Sequence, residues 1–192
     1  QKKEGPTLEN ALYAYVGCPE GFVYRPVNRL DKGTSGLMLA ARTAHAQHLL
    51  QRLLHGSEFI REYLAVVEGA PPRDRGVIDL PIGKADGATI RREVRADGKP
   101  ARTYYRVLEI CGGRSLLRLR LETGRTHQIR VHLCALGCPV AGDFLYGTEL
   151  DDLPGRFALH SALVRLRHPV TGEWIERESP LPSALSALLS RE

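Results

Sequence analysis

The sequence predicts an α+β fold built around a mixed, largely antiparallel sheet with flanking helices. Apolar runs with the length and composition of strands dominate the chain, and they show little of the regular alternation with helices seen in βαβ proteins. The clearest signal is a hairpin in which residues 101–110 and 115–122 are joined through Gly112 and Gly113. In its second strand, three leucines alternate with two arginines and a glutamate, which is typical of a strand with one buried face.

Local signals place the elements of the first half of the chain. Apolar residues at helical spacing predict helices, and short apolar runs bounded by glycine or proline predict strands. In chain order we expect a helix over residues 8–16, a buried strand over 37–41, a helix that Thr43 caps and Gly56 ends, and strands over 63–68 and 77–80.

The second half begins with a turn-rich segment over residues 81–100, in which glycines separate charged residues, and continues with the hairpin. After it we expect a helix that Thr126 caps and Gly137 ends, a loop over 139–147, strands over 159–166 and 173–178, and a last helix from Pro182. No internal repeat and no linker interrupts the pattern. Residues 1–192 are therefore predicted to form a single domain.

Length and composition limit the class of protein. At 192 residues, the chain is long enough for one substantial core. No apolar run approaches the ~20 residues needed to span a bilayer, and residues 1–6 lack the features of a signal peptide. We therefore expect a cytoplasmic protein with reduced cysteines and no membrane partner. Cys134 and Cys138 lie near His127 and His132, but their spacing matches no known zinc module, so no metal site is expected.

The net charge of +5 is unevenly distributed along the chain. Residues 91–130 contain eleven Lys or Arg and four acidic residues, a surplus of +7, while the remainder carries −2. A solvated strand face accounts for part of this surplus. A one-sided surplus also favours a polyanionic partner, and nucleic acid is the partner we expect.

A polar turn that carries Asp31 precedes the strand expected at residues 37–41. Gly33 and Gly36 allow the backbone to turn sharply and to approach another segment closely. A carboxylate on such a turn is held rigidly at a surface, where it can take part in chemistry. The simpler interpretation is that Asp31 only accepts hydrogen bonds from its own turn, and the short motif alone leaves both open.

Three separated stretches carry a more specific signal. Residues 28–36 are Asn-Arg-Leu-Asp-Lys-Gly-Thr-Ser-Gly, residues 61–69 are Arg-Glu-Tyr-Leu-Ala-Val-Val-Glu-Gly, and residues 124–133 are Gly-Arg-Thr-His-Gln-Ile-Arg-Val-His-Leu. Followed by Gly142-Asp143 and Tyr146-Gly147, they resemble the motifs of the RluA-like pseudouridine synthases, in that family's order. The resemblance covers about residues 25–182.

The sequence departs from the family pattern in two ways. Asn28 stands where the family commonly has His, although that position flanks the catalytic residues. The family's upstream strand and its small, separate N-terminal RNA-binding domain have no counterpart in the sequence. We therefore expect the catalytic domain without either of them.

The resemblance implies an isomerase, an RNA pseudouridine synthase that needs neither cofactor nor metal. Its sheet and flanking helices are expected to surround a central RNA-binding cleft. Asp31 corresponds to the nucleophile that acts at the sugar C1′, because a carboxylate can stabilise or trap positive character there. Arg130 corresponds to the cation that keeps this carboxylate ionised in a water-poor pocket. Tyr63 corresponds to the aromatic residue that stacks on the target base, and its hydroxyl is a candidate for removal of the C5 proton.

The same resemblance assigns residues to RNA contact. The target uridine must be flipped out of its stack, and Arg29 corresponds to the residue that fills the vacated space. Arg125, Thr126 and His127 open a helix whose amides favour phosphate, so they are candidates for RNA contact or for bracing Asp31. We expect a monomer that acts on ribosomal RNA or tRNA, ribosomal RNA being favoured. The alternative is a non-catalytic RNA-binding module.

Overall fold

The computed structural model describes residues 7–54 and 56–190, so expectations drawn from residues 1–6 lie outside it. In chain order the elements are α1 (Leu8–Tyr15), β1 (Ser35–Gly36), α2 (Ala44–Leu53), β2 (Phe59–Glu68), β3 (Arg75–Asp79), β4 (Ile82–Lys84), β5 (Arg92–Val94), β6 (Arg102–Cys111), β7 (Arg114–Leu121), α3 (Gln128–Ala135), β8 (Leu159–Arg167), β9 (Trp174–Glu178) and α4 (Ser183–Ser186).

A seven-stranded sheet runs through the molecule in the order β1–β8–β2–β7–β6–β3, with β9 also paired to β8. Among the strand pairs of the described residues, all are antiparallel except β1 with β8. The two short strands β4 and β5 form a separate hairpin. The prediction of an α+β fold with a mixed, largely antiparallel sheet is therefore confirmed.

The main core covers one face of the central strands β2 and β7, where Ala65, Val67, Leu117 and Leu119 are fully buried. The strict alternation of leucine and arginine along β7 explains this, because period-two spacing turns every second side chain to the same face. Helix α3 packs into the same core.

Helix α3 is buried on nearly every side, since the six consecutive residues from Gln128 to Leu133 are all buried. Ile129 and Leu133 contact the main core, while Val131 packs with Ile82 of the β4–β5 hairpin. Any charged or polar side chain on this helix must therefore find a partner inside the protein.

The strand expected at residues 37–41 does not form regularly. Val27 N donates to Leu39 O at 2.8 Å and Ala41 N donates to Arg25 O at 2.8 Å, so this stretch pairs only loosely with the segment before the turn. Its apolar side chains are half-buried against α2. A short apolar run does not distinguish a sheet strand from an extended segment that packs on a helix.

Two further expectations also need correction. Residues 81–100 are not merely turns, because they contain the β4–β5 hairpin, whose three-residue strands show no alternation to detect. Thr126 does not cap α3. The N-cap position belongs to His127, whose backbone is left-handed at φ 58°, and its side chain makes no capping hydrogen bond.

Substitutions at two glycines can test how closely β1 packs against β8. Gly36 (φ 101°) and Gly69 (φ 71°) both have left-handed backbones, but an added Cβ would overlap the Ser161 carbonyl only at Gly36. We predict that Gly69→Ala costs about 1–2 kcal/mol for the backbone alone, and Gly36→Ala at least about 2 kcal/mol more. Urea denaturation measures both, and equal losses would contradict the close contact.

Candidate active site

A cleft of about 360 Å³ opens where the turn before β1, strand β2 and the start of α3 meet. All seven residues singled out from the sequence line it: Arg29, Asp31, Tyr63, Arg125, Thr126, His127 and Arg130. The structure thus brings together side chains that are up to 101 positions apart in the sequence.

Asp31 is held by a tight turn at the wall of the cleft. Its carbonyl accepts from Thr34 N at 2.9 Å, and Gly33 lies so close to Phe157 that a Cβ there would come within 2.5 Å of the ring. The Asp31 side chain is 17% exposed, so it faces the cleft without being sealed from it. The turn presents one carboxylate at a defined place.

The turn is fastened to β8 through a buried histidine. His160 Nε2 lies 3.2 Å from Ser179 O, and because a carbonyl can only accept, this nitrogen carries the proton. His160 Nδ1 therefore accepts the hydrogen bond from Ser35 Oγ, at 2.8 Å. Burial lowers the pKa of His160, which keeps the ring neutral at neutral pH and preserves this arrangement.

Arg130 extends from α3 and is the most strongly held charge in the cleft. It is 3% exposed, and it donates to both oxygens of the fully buried Asp143, from Nε at 2.6 Å and from Nη2 at 2.7 Å. Its guanidinium also lies over the ring of Phe157, 4.1 Å from the centroid. Burial works to lower the pKa of Arg130, but the hydrogen bonds and charges of Asp143 and Asp31 outweigh it and raise the pKa.

The expected pairing of Arg130 with Asp31 is present as the longer of two ion pairs, with Nη1 3.4 Å from Asp31 Oδ2. One guanidinium therefore lies between two carboxylates. Asp143 was part of a quoted motif but had received no role from the sequence. The burial of α3 points to this residue, because an arginine on a buried helix needs a carboxylate to compensate its charge.

Tyr63 lies in the middle of β2, opposite Leu119 of β7 and Ser161 of β8. The pairing with β8 shifts register between Glu62 and Tyr63, an irregularity of the kind that often re-aims a side chain beside a site. Burial raises the pKa of Tyr63, against the opposing charge of Arg61, so the phenol is neutral at neutral pH.

A buried glutamine shapes the loop before α3. Gln128 Oε1 accepts from Arg125 N and Thr123 Oγ1, and its Nε2 donates to Arg102 O and Thr103 Oγ1, all between 2.8 and 3.0 Å. Its hydrogen-bonding capacity is fully used. The sequence had given Gln128 no role, yet it fixes the stretch that carries Arg125, Thr126 and His127 along the cleft.

His127 connects the cleft to the loop after α3. Its Nδ1 lies 2.8 Å from Tyr146 Oη, and the same oxygen accepts from Arg92 N at 2.8 Å, so the tyrosine proton is available to His127. Burial lowers the pKa of His127. The charge of Asp31 acts to raise this pKa and that of Arg130 acts to lower it. A neutral imidazole at pH 7 follows.

The two remaining arginines are placed differently. Arg29 is exposed at the cleft mouth, while Arg125 Nε donates to Pro100 O at 2.9 Å, which holds its side chain along the wall. Arg29 is therefore the more accessible of the two, and Arg125 the more fixed.

The positive surplus of residues 91–130 is only partly available to a ligand. Ion pairs hold Arg95, Arg102, Arg114, Arg118 and Arg130. Over residues 7–54 and 56–190, the members without an ion pair are Arg91, Arg92, Lys99, Arg106, Arg120 and Arg125. Arg91 and Arg92 adjoin Tyr146, so part of the free charge lies near the cleft.

Two negative findings concern only the described part of the chain. It contains no helix that is both long and apolar enough to cross a bilayer. It also contains no group of three or more His, Cys, Asp or Glu side chains placed to hold a metal ion.

Comparison with known proteins identifies relatives along most of the chain. A family model for RNA pseudouridylate synthase matches residues 7–135. An uncharacterised RNA pseudouridine synthase of Chloroflexus aurantiacus is 46% identical over 187 residues, covering 95% of this chain and 59% of the relative. Ribosomal large subunit pseudouridine synthase D of Nitrosomonas europaea is 48% identical over 172 residues, covering 85% of this chain and 49% of the relative.

A solved structure shows the same fold. Human RNA pseudouridylate synthase domain containing 1 superposes with a TM-score of 0.75 at 30% identity, covering 93% of this chain and 76% of the human chain. The chain spans about half to three fifths of the length of the two curated relatives described above.

The buried ion pair predicts an uneven response to substitution. Arg130→Leu leaves Asp143 buried and unpaired, so we predict a loss of about 3–5 kcal/mol in the free energy of unfolding. The double variant Arg130→Leu/Asp143→Leu removes both charges and should regain much of that loss. Urea denaturation measures this, and a double variant as unstable as the single one would show that the charge imbalance is not the cause.

The position of Asp31 predicts a change in the titration of His127. The pKa of His127 in the folded protein lies below its ordinary value of 6.5. The contribution of His127 to the stability of the fold is therefore fully present above pH 6.5 and is lost as the pH falls through the folded-state pKa. Asp31→Asn removes a charge that favours the imidazolium, so the pKa of His127 should fall further. NMR titration of the ring measures it, and an unchanged or raised midpoint would contradict the proximity.

Proposed function

Because the chain belongs to the RNA pseudouridylate synthase family, we propose that it converts a uridine of structured RNA to pseudouridine, with Asp31 as the nucleophile. The observation that carries the proposal is the shared cleft, in which Asp31 lies 3.4 Å from the buried Arg130 and which Tyr63 also lines. An RNA-binding module without activity would need neither the paired carboxylate nor the buried tyrosine.

The proposed reaction is an isomerisation that needs no external reactant. The Asp31 carboxylate forms a bond to C1′ as the bond from C1′ to N1 of uracil breaks. The detached base turns, a C1′–C5 bond forms as the bond from Asp31 to C1′ breaks, and C5 loses its proton while N1 gains one. Arg130 lies 3.4 Å from the carboxylate and keeps a positive charge beside it throughout.

The other cleft residues are assigned to holding RNA. A neutral Tyr63 offers an apolar face on which the flipped uracil can stack. Its hydroxyl is the candidate for helping to remove the C5 proton, because it can accept that proton while it gives its own to N1. Arg29, exposed at the mouth, is placed to enter the space that the base vacates. Arg125, Thr126 and His127 also line the cleft, and we assign them to RNA contact or to bracing Asp31.

Ribosomal RNA is the favoured substrate. The support for this choice is the name of a relative, ribosomal large subunit pseudouridine synthase D of Nitrosomonas europaea. The free positive charge of Arg91 and Arg92 near the cleft suits an RNA backbone that extends beyond the target nucleotide, and it would serve ribosomal RNA and tRNA alike.

Asp31→Asn tests the proposal. The amide keeps the shape of the side chain but cannot act as a nucleophile, so we expect turnover to fall by at least about 10³-fold while RNA binding changes less than about threefold. Tritium release from unmodified ribosomal RNA and tRNA labelled at uracil C5 measures turnover, and fluorescence anisotropy measures binding. Asp79→Asn, the same change on the exposed strand β3, is the control and should remain fully active.

Three results would contradict parts of this proposal. Turnover by Asp31→Asn within a few-fold of the unaltered chain would remove Asp31 from the nucleophile's role. RNA binding without any tritium release by the unaltered chain would favour the non-catalytic alternative. Release from tRNA alone would exclude ribosomal RNA as the substrate.

A further inference from the structure

Arg61 is a buried arginine without a counter-ion. It is 7% exposed, nearly as buried as Arg130, but within the described residues no carboxylate lies within ion-pair distance of it. Its Nε is buried and has no hydrogen-bond partner. Burying a guanidinium without a compensating partner is unfavourable. Arg130 has such a partner, because it donates two hydrogen bonds to Asp143.

The guanidinium of Arg61 faces the cleft. Arg61 and Tyr63 are two positions apart on β2, so their side chains lie on the same face of the strand, and both line the cleft. Across from Arg61 lies Gly124, where an ideal Cβ would be 3.5 Å from Nη1 and 3.7 Å from Nη2. The absence of a side chain at Gly124 leaves this end of the arginine open to the cleft.

The other side of the Arg61 side chain is supported by the protein. Its guanidinium carbon lies 5.5 Å from the centroid of the Phe59 ring, which belongs to the same strand. The Phe59 ring of strand β2 therefore supports one side of the guanidinium, and the N–H donors of Arg61 face the cleft. Such an arrangement fits a group that receives its partner from a ligand.

We propose that Arg61 binds a backbone phosphate of the nucleotide that occupies the cleft. This rests on the proposed function, since RNA then supplies the ligand. Uracil and ribose are neutral, so phosphate is the group of a uridine nucleotide that can compensate the charge. The planar fork of a guanidinium also matches two phosphate oxygens. Arg61 is thus a substrate-binding residue distinct from the Asp31–Arg130–Asp143 group.

Uridine 5′-monophosphate and uridine test the proposal, because the two ligands differ only in phosphate. We expect the unaltered chain to bind the monophosphate at least about tenfold more tightly than uridine, the effect of one charge-assisted contact. In Arg61→Met this preference should fall to within about twofold of unity, and Arg61→Lys should retain part of it. NMR titration measures both affinities. Arg118→Met, on the exposed face of β7, is the control and should keep the full preference.

Thermal unfolding without ligand distinguishes a binding role of Arg61 from a structural role, because the two roles predict opposite changes in the unfolding midpoint. Because Arg61→Met removes an uncompensated buried charge and keeps a similar stem, its midpoint should equal or exceed that of the unaltered chain. A clear fall would show that Arg61 is already compensated in the free protein and would overturn the proposal. An unchanged preference for the monophosphate in Arg61→Met, or no preference in the unaltered chain, would also overturn it.

The failure of this inference can be separated from failure of the proposed function. The nucleotide titrations need no turnover, so they report on Arg61 even if the chain forms no pseudouridine. Conversely, tritium release that depends on Asp31 would stand even if Arg61→Met kept its preference for phosphate.

Discussion

The bidentate ion pair between Arg130 and Asp143 is the interaction on which the site depends. Asp143 is fully buried, and its Oδ1 also accepts from Leu145 N at 3.0 Å and Tyr146 N at 3.2 Å. The carboxylate therefore fixes the loop after α3 at the same time as it orients the guanidinium. Through Tyr146 Oη, this loop reaches His127 and the β4–β5 hairpin. The Arg130–Asp143 pair thus connects α3, the loop after it and the β4–β5 hairpin to the part of the cleft that contains Asp31.

The arginines of the cleft differ in how their charge is compensated, and this difference suggests a division of roles. Arg130 is held by two hydrogen bonds to Asp143 and lies 3.4 Å from Asp31, so its charge is fixed beside that carboxylate. Arg61 is nearly as enclosed but has no carboxylate within ion-pair distance among the described residues. Arg29 is exposed. A cleft whose cations include one paired with a carboxylate, one without a counter-ion and one exposed to solvent is suited to an anionic ligand that enters and leaves.

The sequence predicted those features whose signals are local and repeated. The alternation along β7 and the Thr43 cap of α2 both appear in the structure as expected, because they depend on spacing within a few residues. The partner Asp143 and the four hydrogen bonds of Gln128 were missed, because each depends on segments that meet only after the sheet forms. His127 at the N-cap of α3 was missed for another reason: a left-handed residue that is not glycine is rare, and Thr126 matched the usual capping pattern.

The sheet explains why three motifs distant in sequence meet at one cleft. Strand β1, four residues after Asp31, pairs with β8 and is fastened to it by the hydrogen bond from Ser35 to His160. Strand β8 pairs with β2, which carries Arg61 and Tyr63, and β2 pairs with β7, which leads into the loop before α3. One strand, β8, therefore separates the first motif from the second, and the strand that leads into the third motif is the direct neighbour of β2. Backbone hydrogen bonds set the separation of Asp31 and Tyr63. Because the cleft side chains do not have to maintain that separation, they can differ in charge and in the ligand groups they contact.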